Sequence, residues 1–326
     1  MNTSAPTDAP GVIEAARRGV PRSAESRDAR ERLIRGLLQL SALFSIGITA
    51  AIILTLAWET VNFIALPEVS LADFLLGTNW SPLLGAEQHF GVWPLVSGTM
   101  LVAGVGAAFA LPVGLVSAIY LSEYARPGVR ATLKPALEVL AGVPTVVYGF
   151  FALTVITPGL RWLCTALFGV PIFPGYNATG AGLAVGVMIL PIVCSLSEDA
   201  LRAVPRGLRE GAFALGGTRF DVSVRVVVPA ALSGILASFF LAITRAVGET
   251  MIVALAAGGL AHLTVNPASE VQTMTAYMVQ IFLGDAPAFG VENLSSYAVA
   301  AVLFVFTFSL TVAGNALLRR FQEEYE

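Results

Sequence analysis

Residues 91–122 contain no Asp, Glu, Lys or Arg. A bilayer crossing needs about 20 apolar residues, and backbone groups in hydrocarbon must find their partners within the segment. This stretch is therefore restricted to a membrane-spanning helix. It is longer than one crossing, which predicts a tilted or kinked helix over 96–121 with Pro112 as the kink. Comparable apolar runs predict further spans at 33–57, 139–157, 180–196, 230–260 and 296–318. Only 13% of the residues are charged and 56% are hydrophobic, whereas a soluble domain carries roughly 25% charged residues. The expectation is an all-α polytopic membrane protein with six transmembrane helices over 31–320.

The segments outside the spans differ in charge. Residues 1–30 are rich in Arg, Ala, Pro, Ser and Asp without apolar periodicity, which predicts a disordered cytoplasmic tail, and 321–326 form a second, short tail. Residues 59–92 and 261–295 read as polar extramembrane loops, and neither contains Lys or Arg. Six spans place both termini on one side. Arg17, Arg18, Arg22, Arg27, Arg30, Arg32 and Arg35 lie at the N-terminal end, and Arg126, Arg130 and Lys134 follow the second span. Arg202, Arg206, Arg209, Arg219 and Arg225 occupy the loop 197–229, and Arg319 and Arg320 close the last span. Every basic residue except Arg161 and Arg245 thus falls on one side, which the positive-inside rule makes cytoplasmic.

Several chemistries are excluded. Lys134 is the only lysine and sits in TLKPALE, so the Gly-Lys-Ser/Thr of a phosphate-binding P-loop is absent and any ATPase must be another chain. Cys164 and Cys194 lack metal-ligand spacing and read as small apolar residues, and His89 and His262 are isolated. No nucleophile lies beside a base, so the chain is not expected to be an enzyme. Gly182 and Gly186 form a small-xxx-small pattern suited to close helix packing.

Two polar places remain. Arg245 and Glu249 lie inside the expected fifth span, with Arg245 near the middle of a helix about 45 Å long. An ionised side chain at that depth costs at least about 2.5–3.5 kcal/mol and must face protein or a water-filled path. Spaced four apart, the two would share a helix face with Gly248, which leaves room beside Arg245. Either they neutralise each other in a salt bridge, or Arg245 offers its planar fork to an oxyanion while Glu249 holds it when substrate is absent. The second place is the loop 197–229, where Glu210, Gly211 and Ala212 are followed at fixed spacing by Gly216 and by Val226-x-Val228-Pro229.

That spacing resembles the cytoplasmic EAA loop of ABC-importer permeases, E-A-A-x3-G-x9-I-x-L-P, with Gly211 for the first Ala and Val226 and Val228 for Ile and Leu. RAVGET, residues 245–250, resembles the R-A-x-G-E-T motif of phosphate ABC-transporter permeases. FLLGTNWSPL, FGVWPLVSGTM, PVGLVSAIYLSEYA and KPALEVLAGVPTVVYGFFALTVITP are similar to the PstC type of that family, and the similarity runs over 31–320. The resemblance implies the type I ABC importer permease fold in a bacterial inner membrane. It implies a substrate path at Arg245, Gly248, Glu249 and Thr250, and ATPase coupling through Glu210, Gly211, Ala212, Gly216 and Pro229. The implied partners are a second permease subunit, two ATPase subunits, an extracytoplasmic phosphate-binding protein, inorganic phosphate and membrane lipid, with no cofactor and no nucleic acid. An importer for sulfate or molybdate stays open within the class. An ion-coupled secondary transporter is the alternative outside it, though no internal repeat supports it.

Overall fold

The computed structural model describes residues 23–82, 88–284 and 290–321, with side chains described over 30–82, 88–284 and 290–319. The expected tails over 1–22 and 322–326 lie outside the described residues, and the backbone is already helical from Ser23. In chain order the helices are α1 (Ser23–Ile64), α2 (Leu71–Leu76), α3 (Trp93–Ile119), α4 (Pro127–Ala141), α5 (Thr145–Phe151), α6 (Thr157–Phe168) and α7 (Ala178–Ala203). There follow α8 (Arg206–Ala214), α9 (Arg219–Val222), α10 (Val228–Ala230), α11 (Leu232–Val247), α12 (Met251–Ala256), α13 (Met274–Leu283) and α14 (Val291–Phe321). Wider π-helical turns at Tyr120–Tyr124, Ala152–Ile156 and Ser223–Val227 continue α3, join α5 to α6 and join α9 to α10. The chain divides into two units, Met1–Ala57 and Trp58–Glu326.

Among the described residues, five helical stretches are long and apolar enough to cross a membrane: Arg30–Ile64, Trp93–Tyr124, Thr145–Phe168, Ala178–Ala203 and Val291–Arg319. The sixth candidate is a pair, Arg219–Ala230 and Leu232–Val247, bent by 70°. Within the second unit α7 is central. It packs most extensively on α3, next on α11, and also on α4. The α3–α7 seam is lined by glycine. A carbon added at Gly106 would lie 2.9 Å from the Gly182 carbonyl, and one at Gly186 would lie 2.9 Å from both the Gly106 carbonyl and the Phe109 ring. Lipid supplies no hydrophobic drive between helices, so backbone-to-backbone approach and dispersion must hold them. Pro112 and Pro191 sit inside α3 and α7 without ending either helix.

A second, aromatic core lies at the end of α3 opposite the arginine-rich loops. Phe63 meets Phe74 and Phe90 edge-on, with centroids 5.7 and 5.3 Å apart, and Trp80 meets Tyr277 at 4.9 Å. Tyr277 belongs to α13, which occupies part of the stretch expected to be a polar loop over 261–295. The apolar run there is too short for a crossing, so length alone hid it. Its start is fixed by tertiary contacts: Thr273 accepts from the Ala276 N–H, and Thr99 of α3 accepts from the Met274 N–H at 3.0 Å. Residues 271–277 are buried throughout.

The expected continuous fifth span over 230–260 is likewise broken. Helix α11 stops at Val247, α12 runs only to Ala256, and the chain then turns through Gly258 at φ 107°, a left-handed conformation that favours glycine. The glycine seam yields a test. Gly186→Val is expected to destabilise the purified subunit by about 1–3 kcal/mol in detergent unfolding. Gly104→Ala, whose added carbon meets nothing within 4 Å, is expected to leave the curve unchanged. Equal behaviour of the two variants would contradict close packing at this seam.

Candidate functional site

The motif residues of the loop 197–229 form a helical knuckle. Glu210, Gly211 and Ala212 lie on α8, a helix without a buried residue. Gly216 has φ +84°, so the turn after α8 needs a residue without a Cβ penalty. Thr218 then caps α9 in a reciprocal box. Its hydroxyl accepts from the Asp221 N–H at 3.2 Å and donates to the Asp221 carboxylate at 2.5 Å. That hydroxyl holds the exposed Asp221 carboxyl below its ordinary value of 3.8, with Arg225 adding to the effect. Val222, Ser223 and Val227 are buried against Ala118, Leu121 and Leu201, while Leu215, Phe213 and Phe220 project outward. Leu215 is 92% exposed, so the knuckle presents apolar side chains beside the exposed Glu210 and Arg219. Pro229 stands in α10, just before the 70° bend into α11.

Arg245 and Glu249 do not share a helix. Arg245 is two residues from the end of α11, about 20 Å along it from Leu232. One stripe of α11, Ile235, Ser238, Ala242 and Ala246, is buried. Leu241, Arg245 and Gly248 are exposed, at the i, i+4 and i+7 spacing of a single face. Arg245 makes no ion pair or hydrogen bond among the described residues. Glu249 is turned the other way and is 8% exposed. Its Oε1 accepts from the Met251 and Ile252 N–H groups at 3.1 and 3.2 Å, which starts α12. Its own carbonyl accepts from the Thr275 hydroxyl at 2.6 Å. The mutual salt bridge considered from the sequence is therefore not formed. The helix ends at Gly248, so four-residue spacing no longer means one face, and the carboxylate satisfies N–H groups that a helix start leaves without partners. Thr250 caps α12 by position, with its hydroxyl donating to the Gly248 carbonyl at 3.3 Å.

A third set of polar residues was not singled out from the sequence. Glu198, expected in the loop, is a fully buried residue of α7. Arg130 and Lys134 of α4 pair with it, the lysine at 3.0 Å, and Arg202 approaches to 3.7 Å. Lys134 also meets Asp199 at 2.7 Å, and that hydrogen bond raises its ammonium above the ordinary 10.5. Arg209 of α8 donates to the Leu201 and Val204 carbonyls at 2.7 and 2.6 Å and to Glu123 at 3.2 Å. Charge counting placed these arginines on one side but gave no sign that an acid, Glu198, would be drawn into the interior among them.

Helices bundled by glycine seams, a broken crossing whose Arg245 has no ion pair among the described residues, and an exposed helical knuckle are features of a polytopic membrane protein. Residues 110–323 match the family described as the binding-protein-dependent transport system inner membrane component, and the chain belongs to that family. It is accordingly a multi-pass inner-membrane transport subunit and not a catalytic one. It is 32% identical over 286 residues to the probable ABC transporter permease protein YqgH of Bacillus subtilis, covering 88% of this chain and 90% of that one. It is 29% identical over 316 residues to the phosphate transport system permease protein PstC of Xylella fastidiosa (strain Temecula1), covering 92% and 94%. A bacterial ABC transporter involved in the import of the acidic polysaccharide alginate contains a chain of the same fold, with a TM-score of 0.64 at 12% identity over 93% of this chain and all of that one. The fold is that of type I ABC importer permeases.

The knuckle geometry yields two expectations. Gly216→Ala forces an L side chain into left-handed backbone at about 1–2 kcal/mol, which should speed amide exchange in 206–222 by roughly 5–30-fold. Unchanged exchange would show that the turn does not depend on that glycine. Because Asp221 titrates lower in the folded knuckle, its contribution is present above about pH 4 and is lost as pH falls through the folded value. Exchange in the same segment should therefore quicken selectively on acidification below pH 4, and Asp221→Asn should abolish that pH dependence.

Proposed function

We propose that this chain is the permease subunit of an ATP-driven importer of inorganic phosphate, forming half of the translocation path. The observation that carries the reading is Arg245, an unpaired guanidinium on an exposed stripe of an otherwise apolar helix, next to the helix break at Gly248. A permanent cation at that depth is tolerated against protein or water, not against lipid. The stripe is thus covered in the assembly or lines a wet path. A guanidinium with five donors suits a tetrahedral oxyanion. Relatives named as phosphate transport system permeases align over about nine-tenths of this chain, which supports phosphate as that oxyanion.

In this reading a second, similar permease subunit faces the Leu241, Arg245 and Gly248 stripe, and the path runs between the two. An extracytoplasmic phosphate-binding protein delivers the anion, which fits outer loops poor in basic residues. Two ATPase subunits engage the knuckles, where exposed Leu215, Phe213 and Phe220 offer apolar contact around Glu210. Both termini are cytoplasmic in this reading, which the arginine distribution supports. Glu249 shapes the path indirectly, by starting α12 and by fixing the break beside Arg245.

Radiolabelled phosphate uptake tests the reading, in cells expressing this subunit with its partner subunits and with excess sulfate as competitor. Wild-type uptake is expected to be insensitive to sulfate. Arg245→Gln is expected to lower it about tenfold or more with the complex still assembled, the scale of a lost charge-assisted hydrogen bond. Competition by sulfate would move the substrate to another oxyanion. Full uptake by Arg245→Gln would remove Arg245 from the path.

A further inference from the structure

We infer that Glu198 is a positioning residue for transport, the joint through which motion of the coupling knuckle reaches the Arg245 region by way of α4. This rests on the proposed function in one respect, that the knuckle docks an ATPase. The direct covalent route from the knuckle to Arg245 passes through the 70° bend after α10. A second, non-covalent route is built from side chains. Arg209 clamps α8 to the last turn of α7 through the Leu201 and Val204 carbonyls, and to the turn after α3 through Glu123. Within that same final stretch of α7, Glu198 is buried and takes Arg130 and Lys134 from α4, one full turn apart. No residue of α4 is fully buried, and among the described residues this ion cluster is its polar attachment to α7.

The route continues without a loose link. The chain breaks between α4 and α5, but the Tyr148 hydroxyl of α5 donates to the Leu140 carbonyl of α4 at 2.6 Å and spans the break. Gly149 then lets α5 sit directly on α12. A carbon added there would lie 2.9 Å from the Leu255 side chain and 3.2 Å from the Ile252 backbone. Ile252 is the residue whose N–H is held by Glu249, four residues after Arg245 in the chain. A carboxylate buried among three cations is an expensive way to hold two helices together, since hydrophobic residues of similar volume often do as well or better. What it adds to the apolar contact of Leu137 is a directional tie that carries tension, between a helix only half-buried along one face and the helix to which the knuckle is clamped.

The test uses the assembled complex with its ATPase in lipid nanodiscs and reads two quantities. The first is the distance between spin labels at Val139→Cys on α4 and Leu260→Cys, both exposed positions, with buried Cys164 and Cys194 left in place. The second, in liposomes, is phosphate moved per ATP hydrolysed. In wild type, ATP is expected to shift the label distance by about 2 Å or more. Glu198→Gln is expected to assemble and hydrolyse ATP, yet to lose that shift and to move at least about fivefold less phosphate per ATP. Arg130→Gln should do the same from the other helix, and the double variant should be no worse than either single one. Asp199→Asn, altering the more exposed partner, should behave as wild type.

An unchanged shift and ratio in Glu198→Gln would overturn the inference, as would additive losses in the double variant. Failure of both Glu198→Gln and Arg130→Gln to assemble would reduce the cluster to a folding role and overturn it too. The absence of any ATP-driven shift at Val139 in wild type would refute α4 as a moving element. Wild type that shows the label shift but moves no phosphate would fail the substrate assignment alone, and the shift in the variants would still decide the role of Glu198.

Discussion

The backbone contact between α3 and α7 carries the rest of the structure. Gly106, Gly182 and Gly186 bring two helices so close that carbonyls of one lie where a Cβ of the other would stand. In a hydrocarbon solvent this is the packing available without burying polar pairs, because apolar side chains gain nothing by leaving lipid for each other. Once α7 is held there, α11 settles on it through small residues, and Ser197 and Ser238 exchange a hydrogen bond across that contact at 2.8 Å. Helix α14 packs on α11 and α13. The aromatic cluster of Phe63, Phe74, Trp80, Phe90 and Tyr277 then closes one end of the bundle.

Several buried polar groups of this bundle serve helix starts. Asn177 accepts from the Gly180 N–H at the start of α7, Thr99 and Thr273 serve the start of α13, and Glu249 serves the start of α12. Each of these side chains meets a place where a helix begins inside protein and leaves N–H groups without partners. Helix breaks and buried polar residues therefore explain each other, and neither is a defect of the crossing. Arg245 differs from them: it is exposed, caps nothing and pairs with nothing among the described residues.

The arginine-rich end is held differently. Charges there are paired across elements: Arg209 with Glu123, and Arg130 and Lys134 with Glu198. The first ties α8 to the turn after α3, and the others tie α4 to the end of α7. The knuckle itself is held by local chemistry, the left-handed Gly216 and the Thr218–Asp221 box, and by the burial of Val222 and Val227. It leaves its apolar tip at Leu215 and Phe220 free for contact with another molecule. Under the proposed function, this division places rigidity at the base of the knuckle and adhesion at its tip.

By itself the sequence determined the membrane class, the positions of most apolar crossings and the position of the knuckle. These depend on local composition and on residues at fixed spacing: charge-free runs such as 91–122, and Gly216 between two short helices. Tertiary structure alone decided where the fifth crossing stops, that α13 exists, and which acids are buried. Helix α11 ends at Val247 because Glu249 finds the N–H groups of Met251 and Ile252, and α13 begins where Thr99 of a distant helix accepts from Met274. Glu198 lies beside Asp199 in the chain, and nothing in their order says that one is interior and the other at the surface. That distinction is made by the angle at which α7 presents its last turns to α4. A helix face acquires its environment only when its neighbours are in place, so burial of a charge is settled by packing, while an apolar crossing is legible in local composition.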